Sequence, residues 1–188
     1  TIDEKSVNFG EMAERGLLVT ADRGNAIVMT WMGNTLFFDA TNPEAQAFVW
    51  EQCKKNYYQY GIRCFWLDES EPEYGPYDFD NYRYYAGPAL QCTNPCPVGY
   101  AKCFYDGLRE AGETEILSLV RCAWAGSQKY AVLTWSGDIS STFRAMREQL
   151  QAGLSMGMAG IPWWTSDIGG FLGGQVDDLA FRELLVRW

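Results

Sequence analysis

The sequence predicts an α/β fold, a (β/α)8 TIM barrel of which this chain supplies a central part with about five strands. Three observations carry that expectation. Short apolar runs alternate with helical patterns, as in βα units that build a parallel sheet. Asp39 and Asp68 stand 29 positions apart, and so do Asp138 and Asp167; one strand–helix unit takes about that length, roughly 30 residues. Each of these four acids lies at the C-terminal end of an apolar run, and strand ends that face one way and carry a polar group describe the active-site face of such a barrel.

The elements follow in order. "TLFFD" is the first strand and ends at Asp39. "TNPEAQAFVWEQCKKNYYQYG" then starts a helix, with Thr41 or Asn42 as cap, Pro43 in the first turn and Gly61 as the stop. Ala45, Phe48, Val49, Tyr57 and Tyr60 are expected to form its apolar face. "IRCFWLD" is the second strand, and a long polar and aromatic loop follows it. "PVGYAKCFYDGLREAG" is a helix between Pro97 and Gly112. "EILSLVR" and "YAVLTW" are strands three and four. "STFRAMREQLQAGLSMG" is a helix with Phe143, Met146, Leu150 and Leu154 on one side. "MAGIPWW" is the fifth strand, and "VDDLAFRELLVRW" is a last helix with Phe181, Leu184, Leu185 and Trp188 in register.

Composition excludes several functions. The 188 residues carry a net charge of −9, which disfavours a nucleic-acid backbone as partner. No apolar window of 18 residues occurs, so no transmembrane helix and no membrane partner are expected. A doubly wound sheet also binds ligands at strand ends, but neither G-x-G-x-x-G nor G-x-x-x-x-G-K-[ST] is present to hold a nucleotide. The chain opens at Thr1 without Met; a removed leader stays open, and a cytoplasmic location is favoured over a secreted one. The six cysteines include one close pair, Cys92 and Cys96, without a second pair to complete a zinc site. Reduced cysteines are expected, with a local Cys92–Cys96 disulfide as the alternative.

There are no histidines. Within this chain a Ser-His-Asp triad, a Cys-His dyad or a His-ligated metal is therefore impossible. Proton transfer would fall to carboxylates, or to Tyr, Lys or Cys. That directs attention to "RCFWLDESEPEYG", where Asp68, Glu69, Glu71 and Glu73 follow an apolar strand. One reading is a solvated acidic loop or a hard-cation site. Against it, Asp68 follows "CFWL" directly, at the rim of a core, and Trp66 and Asp68 share one face of the strand while Leu67 points away. Asp138 in "TWSGD", Asp167 in "TSDIGGF" and Arg121 each have a plain reading as a turn acid, a cap or a structural partner. Trp135, Trp163, Trp164 and Phe171 could simply be core. Taken together they form a ring of acids and aromatics on consecutive strand ends, which suits two carboxylates acting on a glycosidic bond.

Three segments then resemble glycoside hydrolase family 31. "FWLDESEP" is similar to that family's nucleophile strand, usually Trp-x-Asp-Met-Asn-Glu-Pro. "RCAWAGSQKYAVLTWSGDISSTF" is similar to its segment with a binding Arg, a Gly-Ser-Gln turn and a Trp-x-Gly-Asp acid/base. "GIPWWTSDIGGF" is similar to its strand ending in Asp-Ile-Gly-Gly-Phe. Order and spacing agree, over nearly the whole chain. The resemblance implies Asp68 as nucleophile and Asp138 as general acid/base, with Trp66, Arg121, Trp135, Asp167 and Phe171 around the terminal sugar and Asp39 as a weaker candidate. It implies a retaining exo-α-glycosidase that removes terminal glucose or xylose from oligosaccharides or small glycosides, with no cofactor or metal. A transglucosylase and a non-catalytic carbohydrate-binding protein are the alternatives. Ser70 stands where many members have Asn, and Glu69 where many have Met, which bears on substrate preference. The remaining barrel strands, an acid on the first of them, a His after the seventh and the flanking β-sandwich domains are expected outside residues 1–188.

Overall fold

A computed structural model describes residues 1–25, 29–30, 34–70 and 79–188. In chain order the strands and helices are β1 (Ile2–Asp3), α1 (Phe9–Glu14), β2 (Thr20–Ala21), β3 (Met29–Thr30), β4 (Asn34–Leu36), α2 (Pro43–Asn56), β5 (Phe65–Leu67), β6 (Tyr82–Tyr84), β7 (Gly87–Pro88), α3 (Ala89–Cys92), α4 (Cys96–Glu110), β8 (Ser118–Val120), β9 (Val132–Trp135), α5 (Phe143–Met158), β10 (Trp164–Thr165) and α6 (Leu179–Arg187).

The wall of the barrel is a four-stranded parallel sheet in the order β10-β9-β8-β5. Its strands run the same way because a helix or long crossover separates each pair in sequence. Register places Trp66 beside Leu119 and Leu119 beside Leu133. Leu67 lies beside Val120, one residue on and hence on the opposite face. Leu67 and Val120 are buried beneath the helices with Trp50, Phe104, Leu108, Val132 and Ile161. The other face carries Trp66 and opens toward the strand C-termini.

Two helices cover the outer face. Asn42 caps α2 by accepting from the Glu44 amide at 2.9 Å, and Pro43 sits in the first turn. The helix ends at Asn56, so Tyr57 and Tyr60 lie beyond it and are exposed; its buried side chains are Ala45, Phe48 and Trp50. The sequence reading placed both tyrosines on the apolar face and overlooked Trp50. Trp50 meets Phe65 and Phe104 at ring-centroid distances of 6.2 and 6.3 Å. α4 approaches closely enough that a Cβ on Gly107 would lie 2.2 Å from the Trp50 indole.

The first of the five expected strands departs from the barrel pattern. β4 pairs antiparallel with β1 and β3, and the run continues to Phe38, which bridges Leu18, again antiparallel. Among the described residues the parallel sheet therefore has four strands. An apolar run ending in an acid before a capped helix has the form of a βα unit, but its backbone partners come from the preceding segment. Its side chains fill a second core with Met12, Leu17, Val19, Tyr82 and Tyr84. The loop after Asp68 also holds more than expected: β6 pairs with β2 and β7 in a small antiparallel sheet.

α5 forms where expected, capped by Thr142, which accepts from the Ala145 amide at 3.0 Å. Its apolar stripe does not face the core: Phe143, Leu150 and Leu154 are exposed, and Ala145 is the buried residue. The helix meets the sheet through Gly153, where a Cβ would lie 2.6 Å from Trp164. The fifth run is strand only at Trp164–Thr165, because Met158 still belongs to α5. All six cysteines are free thiols. Among the described residues no helix is long and apolar enough to cross a membrane.

Candidate active site

A cavity of about 400 Å³ opens at the C-terminal ends of β5, β8, β9 and β10. It is lined by Trp66, Asp68, Glu69, Arg121, Trp135, Asp138, Asp167 and Phe171. That volume lies within the usual range for small-molecule sites, roughly 300–1,000 Å³. Each side chain arrives by a short path. Asp68 directly follows β5, Arg121 directly follows β8, and the Arg121 amide donates to the Leu67 carbonyl at 3.3 Å. Gly137, with φ +69°, turns the chain after β9 and delivers Asp138.

The Asp-Ile-Gly-Gly-Phe segment has its own physical reason. Gly169 and Gly170 both adopt positive φ, and a Cβ on Gly170 would lie 2.7 Å from the Ser141 backbone. Only glycine allows that approach at that backbone angle. The loop then locks to the one after β9: the Phe171 amide donates to the Ile139 carbonyl at 2.8 Å, and the Ser141 amide to the Leu172 carbonyl at 2.8 Å. Asp167 and Phe171 are thereby fixed beside Asp138.

Arg121 organises the charges. Its Nη1 lies 2.9 Å from Glu69 Oε1, 3.5 Å from Asp68 Oδ1 and 3.8 Å from Asp138 Oδ2. Asp68 and Asp138 therefore approach one guanidinium nitrogen from two strand ends, and their separation cannot exceed the sum of those two distances. Burial pushes the Asp167 carboxyl above the ordinary carboxylate range, and the Asp138 charge adds to it. Trp66 stands 63% exposed at the mouth, its ring edge-to-face with the buried Trp135.

Seven of the eight sequence-chosen site residues thus line one cavity. The eighth, Asp39, does not. It is 2% exposed, and its carboxylate accepts from the Thr41 amide at 2.9 Å, the Thr41 hydroxyl at 2.6 Å and the Tyr85 amide. It ties the start of α2 to the hairpin after β6. Trp163 and Trp164 do not line the cavity either. Glu69, one of the acids that follow Asp68, lines it too; its ion pair with Arg121, 52 positions away, leaves no local sequence signal. Ser70 is buried, with its hydroxyl 3.2 Å from the Cys122 sulfur. Glu71 and Glu73, part of the cation-site alternative, lie outside the described residues.

Comparison with known proteins identifies the family. The chain is 61% identical over its whole length to a protein of Pseudescherichia vulneris named "Uncharacterized family 31 glucosidase ORF2", covering 36% of that protein. It is 32% identical over its whole length to "Alpha-xylosidase A" of Aspergillus niger, covering 30% of it. The structure superposes with a TM-score of 0.96 on a GH31 alpha-xylosidase from a soil metagenome complexed with xylose, at 62% identity, covering all of this chain and 28% of that one. The chain thus spans about a third of these relatives. A family model described as "Glycosyl hydrolases family 31 TIM-barrel domain" matches residues 1–188. The barrel sheet, the acids at its strand ends and that end-to-end match make the chain a member of glycosyl hydrolase family 31.

Proposed function

We propose that the protein containing this chain is a retaining exo-α-glycosidase acting on terminal α-xylosyl residues. The observation that carries the reading is the pairing of Asp68 and Asp138 around Arg121 in a cavity walled by Trp66, Trp135 and Phe171. The acids supply the chemistry and the aromatic rings supply apolar faces for a sugar ring. Similarity to two proteins named as α-xylosidases, one of them complexed with xylose, supports the choice of sugar.

In the first step an Asp68 oxygen bonds to the anomeric carbon. The bond to the leaving oxygen breaks, and Asp138 gives that oxygen its proton. In the second step Asp138 takes a proton from water, the water oxygen bonds to the anomeric carbon and Asp68 is released. Two inversions retain the α configuration. Such retaining pairs sit about 5–5.5 Å apart, which the shared contact to Arg121 permits. Asp167 and Arg121 are assigned to hydrogen-bonding the sugar hydroxyls.

α-Glucosidase activity is the second reading, favoured by the 61% identical relative's name. The test is hydrolysis of aryl α-xyloside and α-glucoside by the full-length protein, with the first-formed sugar followed by NMR. Faster turnover of the xyloside with α-xylose as first product is expected. Faster turnover of the glucoside would move the assignment to α-glucosidase, and β-sugar as first product would overturn the retaining mechanism.

A further inference from the structure

Among the described residues, the closest ion pair in the site does not involve either acid assigned to catalysis. Arg121 Nη1 is nearer to Glu69, at 2.9 Å, than to Asp68 at 3.5 Å or Asp138 at 3.8 Å. The Glu69 and Arg121 side chains are 14% and 17% exposed, whereas Asp68 and Asp138 are each 40% exposed. Glu69 also holds a left-handed backbone with φ +51°, which costs a residue with a Cβ on the order of 1–2 kcal/mol. That turn aims its side chain back at Arg121. A simple surface ion pair would need neither the burial nor the turn.

We propose that Glu69 is a positioning residue for the glycosidase reaction: its carboxylate engages the Arg121 guanidinium and offsets its charge, so that Arg121 reaches toward Asp68 and Asp138 without closing a tight pair with the nucleophile. A full positive charge pressed against Asp68 would weaken it as a nucleophile. It would also oppose the oxocarbenium-like charge that develops at the anomeric carbon. With Glu69 engaged, the cluster keeps a net negative charge facing that carbon. The idea rests on the roles proposed above for Asp68 and Asp138.

The groups that face this cluster come from several elements. Among the described residues they are Asp68 and Glu69 after β5, Arg121 after β8, Asp138 after β9 and Asp167 after β10, whose carboxyl is raised by burial first and then by the Asp138 charge. Tyr100 of α4 is pushed up mainly by burial, with Asp68 a minor contributor. Removing the Glu69 charge leaves Arg121 less compensated, which favours ionised carboxyls throughout the cluster. Both limbs of the kcat/KM pH profile then move to lower pH.

The experiment is the pH profile of kcat and KM for Glu69→Gln, Glu69→Asp and Glu69→Asn in the full-length protein with an aryl α-glycoside. Gln keeps an acceptor for Arg121 without the charge, Asp keeps the charge, and Asn accepts the left-handed backbone most readily. For Gln and Asn the expected result is a fall in kcat of roughly ten- to a hundredfold with little change in KM. Both limbs should shift down by about half a pH unit or more, and Asp should stay near the wild-type limbs. Wild-type limbs in Gln, or in Asn should Gln not fold, would overturn the proposal and leave Glu69 a structural partner. A wild-type protein without α-glycosidase turnover would sink the underlying reading as well, so the two failures are distinguishable.

Discussion

Trp66 and Trp135 meet edge-to-face, with ring centroids 5.5 Å apart and planes at 73°, although β8 lies between their strands. The contact forms across the mouth of the barrel, where inward-facing side chains of alternate strands come together. One ring is buried and the other is largely exposed. The buried ring of Trp135 holds the exposed ring of Trp66 upright beside Asp68, and the two should separate by experiment.

Trp66→Ala is expected to raise KM about tenfold, equivalent to about 1.4 kcal/mol, while costing stability only about the 0.5–1.5 kcal/mol of its ring contact. Trp135→Ala is expected to cost about 3 kcal/mol of stability, as buried aromatic truncations do. A double-mutant cycle should return about 0.5–1.5 kcal/mol for the pair. Stability measurements with KM for the three variants check this.

Asp138→Ala is expected to depend on the leaving group. An activated aryl glycoside needs little proton donation, so its first step should survive, whereas a natural disaccharide should lose about 10²–10⁴-fold in kcat/KM. Added azide should then be captured as the α-glycosyl azide. Equal loss on both substrates with no azide product would assign Asp138 a structural role.

Asp167 carries a stability consequence with a definite sign. Its carboxyl is raised in the folded protein, first by burial and then by the Asp138 charge. The folded state therefore binds this proton more tightly than the unfolded state, and stability falls as pH rises through the ordinary carboxylate range to the raised value. Asp167→Asn should remove that penalty. The variant's melting temperature should match or exceed wild type above that window, and the gain should vanish below it. Thermal melts across pH 3 to 7 read it directly.

Gly107→Ala tests the packing that supports β5. A helix-interior alanine would ordinarily gain about 1 kcal/mol over glycine. Here the new Cβ would meet the Trp50 ring at 2.2 Å, and overpacking costs about 1–3 kcal/mol. A net loss of stability is expected in chemical denaturation, with a smaller loss when Trp50→Phe is added.

Much of this site was legible because strand ends carry their own markers. "FWLD", "VLTWSGD" and "PWWTSD" each place an acid just past the end of an apolar run, and in the first of them period two aims Trp66 and Asp68 the same way. "TLFFDATNP" carries the same marks yet belongs elsewhere, because periodicity does not say which strand a run pairs with. Its Asp39 is consumed by Thr41 and Tyr85, partners that local sequence reveals only in part. The short β6–β7 hairpin has too few residues to show any period. The partner of Glu69 was hidden for a different reason: it lies in a through-space pair with Arg121 and in a positive φ, neither of which leaves a pattern in the chain. The stripe on α5 has helical period, but periodicity alone does not say what covers it.

The central assignment is that Asp68 forms the covalent bond. The direct measurement is to inactivate the full-length protein with a 5-fluoro-α-glycosyl fluoride, digest it and locate the label by mass spectrometry. The expected result is one sugar-sized mass increment on the peptide carrying "CFWLDES", with fragmentation placing it on Asp68. A label on Glu69 or Asp138 with Asp68 unmodified would contradict the assignment and, with it, the division of roles around Arg121.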